Sequence, residues 1–208
     1  MRKWLYFLAL LAFSVFWFIR FNYESAAMQQ FDQSMSHLLF GNEVIIAFHR
    51  IGDTGFVLAV AVLLLLFLWI REHNYRGMLF VLLTFAGGTV LNQLLKNWVQ
   101  RPRPEIADQL TSFSFPSGHS MSGILYLFTI AYLMSEIVVS KSKMVMIWFV
   151  AIVITIMIGL SRIAESRHFA TDVLGGWSMG FVWFMVCVFW YERRKRVFNE
   201  VKMTHLEK

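Results

Sequence analysis

The chain of 208 residues is 58% hydrophobic and 17% aromatic, with a mean hydropathy of +0.57, which favours a one-domain membrane protein over a water-soluble one. Its single cysteine, Cys187, excludes an intramolecular disulfide scaffold and is expected to be a small buried hydrophobic residue. The net charge of +6 comes without a nucleic-acid-binding motif, so we expect no nucleic-acid partner.

Six stretches are long and apolar enough to cross the roughly 30 Å hydrocarbon core of a bilayer as helices. In chain order they are residues 4–19, 55–70, 78–95, 120–139, 144–160 and 173–191. They are continuous apolar runs rather than alternating patterns, which favours helices over a lipid-facing barrel. We expect an all-α polytopic bundle of six transmembrane helices, the first of them an uncleaved helix rather than a signal peptide.

The connections between these stretches carry two further signals. Residues 21–54 form the longest connection, and their mixed helical spacing predicts short amphipathic helices in the membrane interface. All three prolines, Pro102, Pro104 and Pro116, fall between the third and fourth stretches. Because proline fixes φ and disfavours helix in the residue before it, we expect a rigid, non-helical segment there.

The distribution of Lys and Arg predicts the orientation, because cytoplasmic loops of membrane proteins carry an excess of both. Most of the 19 fall on the cytoplasmic side if both termini are cytoplasmic. The exceptions concentrate in residues 96–103 and 162–167, which would then lie at the outer face. A scaffold has little need for cations there, so we expect an anion-binding site.

Three clusters of chemically capable residues lie at the ends of the predicted helices. They are Lys96 with Arg103, then Ser117, Gly118 and His119, and finally Arg162 with His168 and Asp172. Helices of alternating direction would bring all three clusters to the same, outer face. Arg and Lys bind phosphate oxygens, and a glycine at a helix N-terminus lets backbone N–H groups approach an anion. The clusters therefore predict a phosphate site.

The histidines of these clusters suggest how a phosphate would react. His168 and Asp172 are spaced i, i+4, so an early-starting helix would stack them, and the carboxylate would leave one imidazole nitrogen free to attack. His119 would act as general acid, while the three nearby cations would neutralise the phosphoryl group without a metal. A zinc site of His119, His168 and Asp172 is disfavoured, because the surrounding cations oppose binding another one. The other histidines are assigned no role: His37, His49, His73 and His205.

The complete pattern resembles the three-part signature of the type 2 phosphatidic acid phosphatase superfamily. Here it stands as Lys96…Arg103-Pro104, Pro116-Ser117-Gly118-His119 and Ser161-Arg162…His168…Asp172. The resemblance implies a single membrane phosphatase domain, residues 1–208 with the motifs in about 96–172, that needs neither metal nor cofactor. His168 would form a phosphohistidine, Asp172 would orient it and His119 would protonate the leaving group. The phosphate oxygens would be held by Lys96, Arg103, Ser117, Gly118 and Arg162.

The short chain and six-helix layout resemble bacterial members that act on phosphatidylglycerophosphate or undecaprenyl diphosphate. We expect hydrolysis of phosphatidylglycerophosphate to phosphatidylglycerol at the outer face of the cytoplasmic membrane, with undecaprenyl diphosphate hydrolysis as the alternative. The expected partners are the bilayer and a phospholipid or polyprenyl phosphate, without an obligate protein partner. Further alternatives are a lipid phosphotransferase, a vanadium haloperoxidase-like enzyme and a non-enzymatic phospholipid-binding protein. Glu165 and Arg167 lie outside the matching positions and are expected in solvent or at the rim of the site.

Overall fold

The computed structural model describes residues 3–71, 73–106 and 111–206, and these residues form helices and connections without β-strands. The α-helices are α1 (Lys3–Asn22), α2 (Ala26–Leu39), α3 (Glu43–Ile46), α4 (His49–Gly52), α5 (Thr54–Ile70), α6 (Tyr75–Leu82), α7 (Gly88–Val99), α8 (Gly118–Ile137), α9 (Lys141–Ala164) and α10 (Ala170–Leu206). A π-helical turn, Leu83–Gly87, joins α6 to α7. The predicted all-α architecture is confirmed.

Five helical segments of the described chain are long and apolar enough to cross a membrane. They are Trp4–Asn22, Tyr75–Val99, Gly118–Ile137, Lys141–Ala164 and Ala170–Arg194. The 17-residue α5 makes a sixth candidate span together with Glu43–Gly52, from which it is bent by 48°. All six predicted stretches therefore coincide with helices, and the protein is a multi-pass membrane protein.

The connection between α1 and α5 folds into three short helices, as its spacing predicts. Ser25 caps α2 by accepting a hydrogen bond from the backbone N–H of Met28, and Asn42 caps α3 in the same way through Ile45. α2 packs against α9 and α10, while α4 packs against α8 and α9. These short helices therefore cover one end of the bundle.

α8 and α10 form the centre of the bundle, with α9 packed against α8 and α1 against α10. Gly176 of α10 allows a very close approach, because an added Cβ would lie 2.6 Å from the carbonyl oxygen of Ser117. The neighbouring Gly175 similarly faces the buried ring of Phe115, 2.5 Å from the position of an added Cβ. Cys187 is buried in this core, as predicted. The start of α8 is thus held directly against the first turns of α10.

The ends of α7 and α9 lie beside the starts of α8 and α10. The backbone N–H of Ser117, just before α8, donates a 3.0 Å hydrogen bond to the carbonyl oxygen of Asp172 in the first turn of α10. Lys96, in the last turn of α7, reaches the carbonyl oxygen of Phe113 at 2.6 Å. Antiparallel packing therefore brings the three sequence clusters to the same end of the bundle.

Candidate active site

A cavity of about 260 Å³ lies at this end of the bundle, with α4, α5, α7, α8 and α9 contributing to its wall. Six of the eight residues predicted from the sequence line it: Lys96, Arg103, Gly118, His119, Arg162 and His168. The other two, Ser117 and Asp172, are fully buried and do not line it. The three clusters thus surround one cavity.

His168 and Asp172 are paired, although not in the way that their spacing predicts. α10 begins at Ala170, so His168 precedes the helix, and the early helix start that would stack the two residues does not occur. Nδ1 of His168 nevertheless lies 3.4 Å from Oδ2 of Asp172. The same Oδ2 accepts a 2.9 Å hydrogen bond from the backbone N–H of Phe169, in the manner of the acid in a capping box. The Asp172 carboxylate therefore both caps α10 and faces the imidazole of His168.

The contacts of His168 define where its proton lies. Nε2 lies 3.2 Å from Nη1 of Arg103, and a guanidinium only donates hydrogen bonds, so Nε2 is the acceptor and carries no proton. The proton of the neutral ring is then on Nδ1, towards Asp172. Burial, the largest effect, together with the cations Arg103 and Lys96 lowers the pKa of His168 to about 3, against the opposing effect of Asp172. Near pH 7 the ring is neutral, with an unprotonated Nε2.

Two of the cations that line the cavity are held by neutral acceptors. Lys96 is 4% exposed, and its Nζ donates to the carbonyl oxygen of Phe113 at 2.6 Å. Arg103 donates from Nε to the carbonyl oxygen of Ser112 at 2.7 Å and from Nη1 to that of Arg167 at 2.8 Å. These carbonyl groups orient the two side chains, and both side chains line the cavity, where a cation can bind an anion.

Arg162 differs because its partner is an acid. Nη1 of Arg162 lies 2.6 Å from Oε2 of Glu165, whose other oxygen lies 2.9 Å from Nδ1 of His49. The Glu165 side chain is 16% exposed and contacts an arginine that lines the cavity, so of its two expected positions, in solvent or at the rim of the site, the structure agrees with the rim. Nε of Arg162 is buried and has no hydrogen-bond partner in the part of the chain that the structure describes. Arg162 therefore retains an unused donor for an anion.

At the start of α8, Ser117 and Gly118 hold the backbone at the cavity, next to the side chain of His119. Ser117 is the N-cap of α8, and its Oγ accepts hydrogen bonds from the backbone N–H of Ser120 at 3.4 Å and from the Ser120 hydroxyl at 2.9 Å. Gly118 lines the cavity, and an added Cβ there would lie 3.3 Å from Oδ1 of Asn92. Asn92 in turn donates to the carbonyl oxygen of Pro116 at 3.3 Å. The helix N-terminus, a favourable position for an anion, is thereby fixed at the cavity wall.

Comparisons with known proteins agree with this geometry. The model of the PAP2 superfamily matches residues 77–196, which is more than half of the chain and contains all eight predicted site residues. The chain belongs to the PAP2 superfamily. It is 36% identical over 159 residues to phosphatidylglycerophosphatase B of Bacillus subtilis (strain 168), and the match covers 74% of this chain and 77% of that protein.

A solved structure extends the similarity to the whole fold of this PAP2 protein. The crystal structure of a transmembrane PAP2 type phosphatidylglycerolphosphate phosphatase from Bacillus subtilis matches with a TM-score of 0.80 at 31% sequence identity. The match covers 89% of this chain and 96% of that chain. The resemblance inferred from the three motifs is therefore confirmed.

Behind the pair of His168 and Asp172 in this PAP2 protein lies a buried ionic network to which sequence reasoning assigned no role. Arg101 donates from Nη1 to Oδ1 of Asp172 at 2.7 Å and from Nη2 to Oδ2 of Asp32 at 2.9 Å. Arg101 and Asp32 are only 5% and 4% exposed, and Asp172 is fully buried. The hydroxyl of Ser114 also donates to Asp172, through Oδ2. Each oxygen of the Asp172 carboxylate therefore has its own set of donors.

The same network attaches α2 to the start of α10. Oδ1 and Oδ2 of Asp32 accept hydrogen bonds from the backbone N–H and the hydroxyl of Thr171, both at 2.8 Å. The Arg101 guanidinium lies over the rings of Tyr23 and Phe169, 4.5 and 4.2 Å from their centroids. Two features of the sequence could have drawn attention to this network. Arg101 is a second arginine beside the motif residue Arg103 in R-P-R-P, and Asp32 is the sole acid of α2.

Residues suited to hold a metal ion are not clustered in the described chain. Within residues 3–71, 73–106 and 111–206, no three His, Cys, Asp or Glu side chains lie close enough together for such a site. His119 has its Nε2 3.0 Å from Oδ1 of Asp53, away from the pair formed by His168 and Asp172. His119 and His168 therefore each have a carboxylate of their own, Asp53 and Asp172.

Proposed function

We propose that this PAP2-family membrane phosphatase hydrolyses the terminal phosphomonoester of phosphatidylglycerophosphate to phosphatidylglycerol and inorganic phosphate. The observation that carries the proposal is the placement of two histidines and three cations around one cavity. The 36% identity to a protein named phosphatidylglycerophosphatase B supports this choice of lipid. Val57 of α5 and Thr89 of α7 also line the cavity, so a lipid headgroup would reach it between these helices while its acyl chains stay in the bilayer.

In the first step, Nε2 of His168 attacks phosphorus. The N–P bond forms as the P–O bond to the glycerol breaks, and His119 gives its proton to the departing oxygen. The positive charge that develops on the imidazole is stabilised by Asp172, which faces Nδ1. The cations of the cavity neutralise the phosphoryl oxygens, so this chemistry needs no metal ion.

In the second step, water attacks the phosphohistidine. His119, now neutral, accepts a proton from the water, and the N–P bond breaks to release inorganic phosphate and regenerate neutral His168. An alcohol in place of water would make the protein a phosphotransferase.

The phosphate-binding residues divide into direct and indirect ones. Lys96, Arg103 and Arg162 would contact the phosphate oxygens through their side chains, and Gly118 through its backbone, because all four line the cavity. Ser117 would act indirectly, because its buried hydroxyl caps α8. This assignment replaces the direct contact that the motif alone predicts for Ser117.

The proposed orientation places both termini in the cytoplasm and the cavity at the outer face of the cytoplasmic membrane. Lys141 and Lys143 support it, because they lie at the opposite end of α9 from Arg162. Glu24→Cys, at the cavity end, should react with an impermeant thiol reagent in intact cells. Val139→Cys, at the other end and 97% exposed, should react only after permeabilisation. The reverse pattern would overturn the orientation.

Phosphate release by the purified protein tests the reaction. Release from phosphatidylglycerophosphate should continue in EDTA, and His168→Ala should lower kcat by several orders of magnitude. Complete loss of activity in EDTA would overturn the metal-free mechanism, and substantial turnover by His168→Ala would overturn the nucleophile assignment. A higher kcat/KM for undecaprenyl diphosphate would instead favour recycling of the polyprenyl carrier.

A further inference from the structure

The junction between α4 and α5 contains Asp53, an acid whose side chain does not cap the helix that follows it. Asp53 is the N-cap of α5, with φ −66° and ψ 145°, yet its side chain makes no capping hydrogen bond. An aspartate in this position ordinarily accepts one from the first turn, which is worth about 1 kcal/mol. Oδ1 of Asp53 instead lies 3.0 Å from Nε2 of His119. The Asp53 carboxylate therefore contacts the imidazole of His119 instead of capping α5.

Two further contacts hold this junction against α8. The hydroxyl of Tyr126, about two turns along α8 from His119, donates a 2.8 Å hydrogen bond to the carbonyl oxygen of Ile51. Gly52 approaches so closely that an added Cβ would lie 3.0 Å from Cδ2 of His119 and 2.6 Å from Cγ2 of Ile158. These contacts fix the distance between the Asp53 carboxylate and the His119 ring.

His49 completes the surroundings of Asp53. Nδ1 of His49 lies 2.9 Å from the carbonyl oxygen of Ile46 and 2.9 Å from Oε1 of Glu165, so this nitrogen carries a proton to serve two acceptors. Nε2 of His49 lies 3.9 Å from Oδ2 of Asp53. One oxygen of Asp53 is therefore directed to His119 and the other to His49.

Building on the proposed function, in which His119 protonates the leaving oxygen, we propose that Asp53 is the positioning residue of this general acid. A hydrogen bond from Nε2–H to Asp53 leaves Nδ1 of His119 for the leaving-group oxygen, and the negative charge of Asp53 stabilises the imidazolium. As the P–O bond breaks, the Nδ1 proton passes to the leaving oxygen, and the attacking water later returns a proton to Nδ1. Asp53 lies outside residues 77–196, the part that matches the family, so its role rests on these contacts alone.

The test uses the fact that a poor leaving group needs a general acid, whereas a good one does not. Asp53→Asn keeps an acceptor beside Nε2 but removes the charge. Its kcat on phosphatidylglycerophosphate should fall at least about 30-fold with little change in KM, because general acids typically contribute about 10²–10⁴-fold. The rate of its first step on 4-nitrophenyl phosphate, measured as the pre-steady-state burst of nitrophenolate, should fall less than about threefold, because the nitrophenolate leaves without protonation. Asp53→Glu, which restores the charge, should recover part of the loss.

Glu43→Gln is the matched control, because it removes an exposed acid from the adjacent α3. We expect wild-type kcat on both substrates for this variant, and an unchanged melting temperature for Asp53→Asn. An equal loss in the lipid kcat and in the nitrophenolate burst rate, or wild-type turnover of the lipid by Asp53→Asn, would overturn the positioning role. Failure of the wild-type protein to hydrolyse phosphatidylglycerophosphate would overturn the proposed function itself, so the two failures are distinct.

Discussion

Replacing Arg101 with glutamine should destabilise the protein more than any other single change of a cation at this end of the bundle. Glutamine fills similar space but leaves the buried carboxylates of Asp32 and Asp172 without the cation that lies 2.9 and 2.7 Å from them. Removing one partner of a buried ion pair costs about 3–5 kcal/mol, because the remaining charge stays buried and unpaired. We therefore expect the free energy of unfolding to fall by that amount.

The pairing of two acids with one guanidinium also predicts which variants compensate. Arg101→Lys should recover only part of the stability, because an ammonium lacks the planar fork that reaches both carboxylates. Asp32→Asn combined with Arg101→Gln should be less destabilising than the sum of the single changes, since it leaves one stranded carboxylate instead of two. We expect a coupling energy of about 1–3 kcal/mol between the two sites.

Unfolding in mixed micelles with increasing denaturing detergent measures these differences. Arg20→Gln is the matched control, because Arg20 stacks on Tyr23 and Trp98 at 5.6 and 5.0 Å but forms no ion pair in the described chain. Its loss should cost only about 0.5–1 kcal/mol. A similarly small effect of Arg101→Gln, or strict additivity with Asp32→Asn, would refute the role given to the network.

Three further changes test other features of the site. Burial lowers the pKa of His168 from 6.5 to about 3, so the unfolded chain binds a proton at this residue more strongly than the folded protein does. The stability of the folded protein should therefore fall as pH drops from about 6.5 towards 3, by up to about 1.4 kcal/mol per pH unit. Thermal unfolding across this range should show a weaker pH dependence in His168→Asn, and an unchanged one would contradict the assignment. Gly176→Ala should lower stability by about 1–3 kcal/mol through overpacking against α8, whereas Gly55→Ala, with open space around it, should not. Ser117→Ala should cost about 1 kcal/mol of stability but leave KM unchanged, and a large rise in KM would indicate direct phosphate contact.

The sequence by itself was sufficient for the membrane architecture. A helix must be about 20 apolar residues long to cross the hydrocarbon core, and this length is visible as continuous apolar stretches without any knowledge of packing. The motif residues were equally visible, because the phosphate chemistry requires particular side chains. Lys96, Arg103, Arg162 and the two motif histidines accordingly line one cavity. The bend before α5 was not predicted, because it leaves the apolar stretch of residues 55–70 uninterrupted.

The tertiary structure decided which partner each of these side chains has. Arg101 and Asp32 are separated by 69 residues, and His119 and Asp53 by 66, so no local spacing relates them. Helical periodicity predicts neighbours three or four positions apart, but it does not fix where a helix begins, and α10 begins two residues after His168. Contacts between distant residues depend instead on how closely helices approach, as at Gly52 and Gly176, and on the requirement that buried charges be paired.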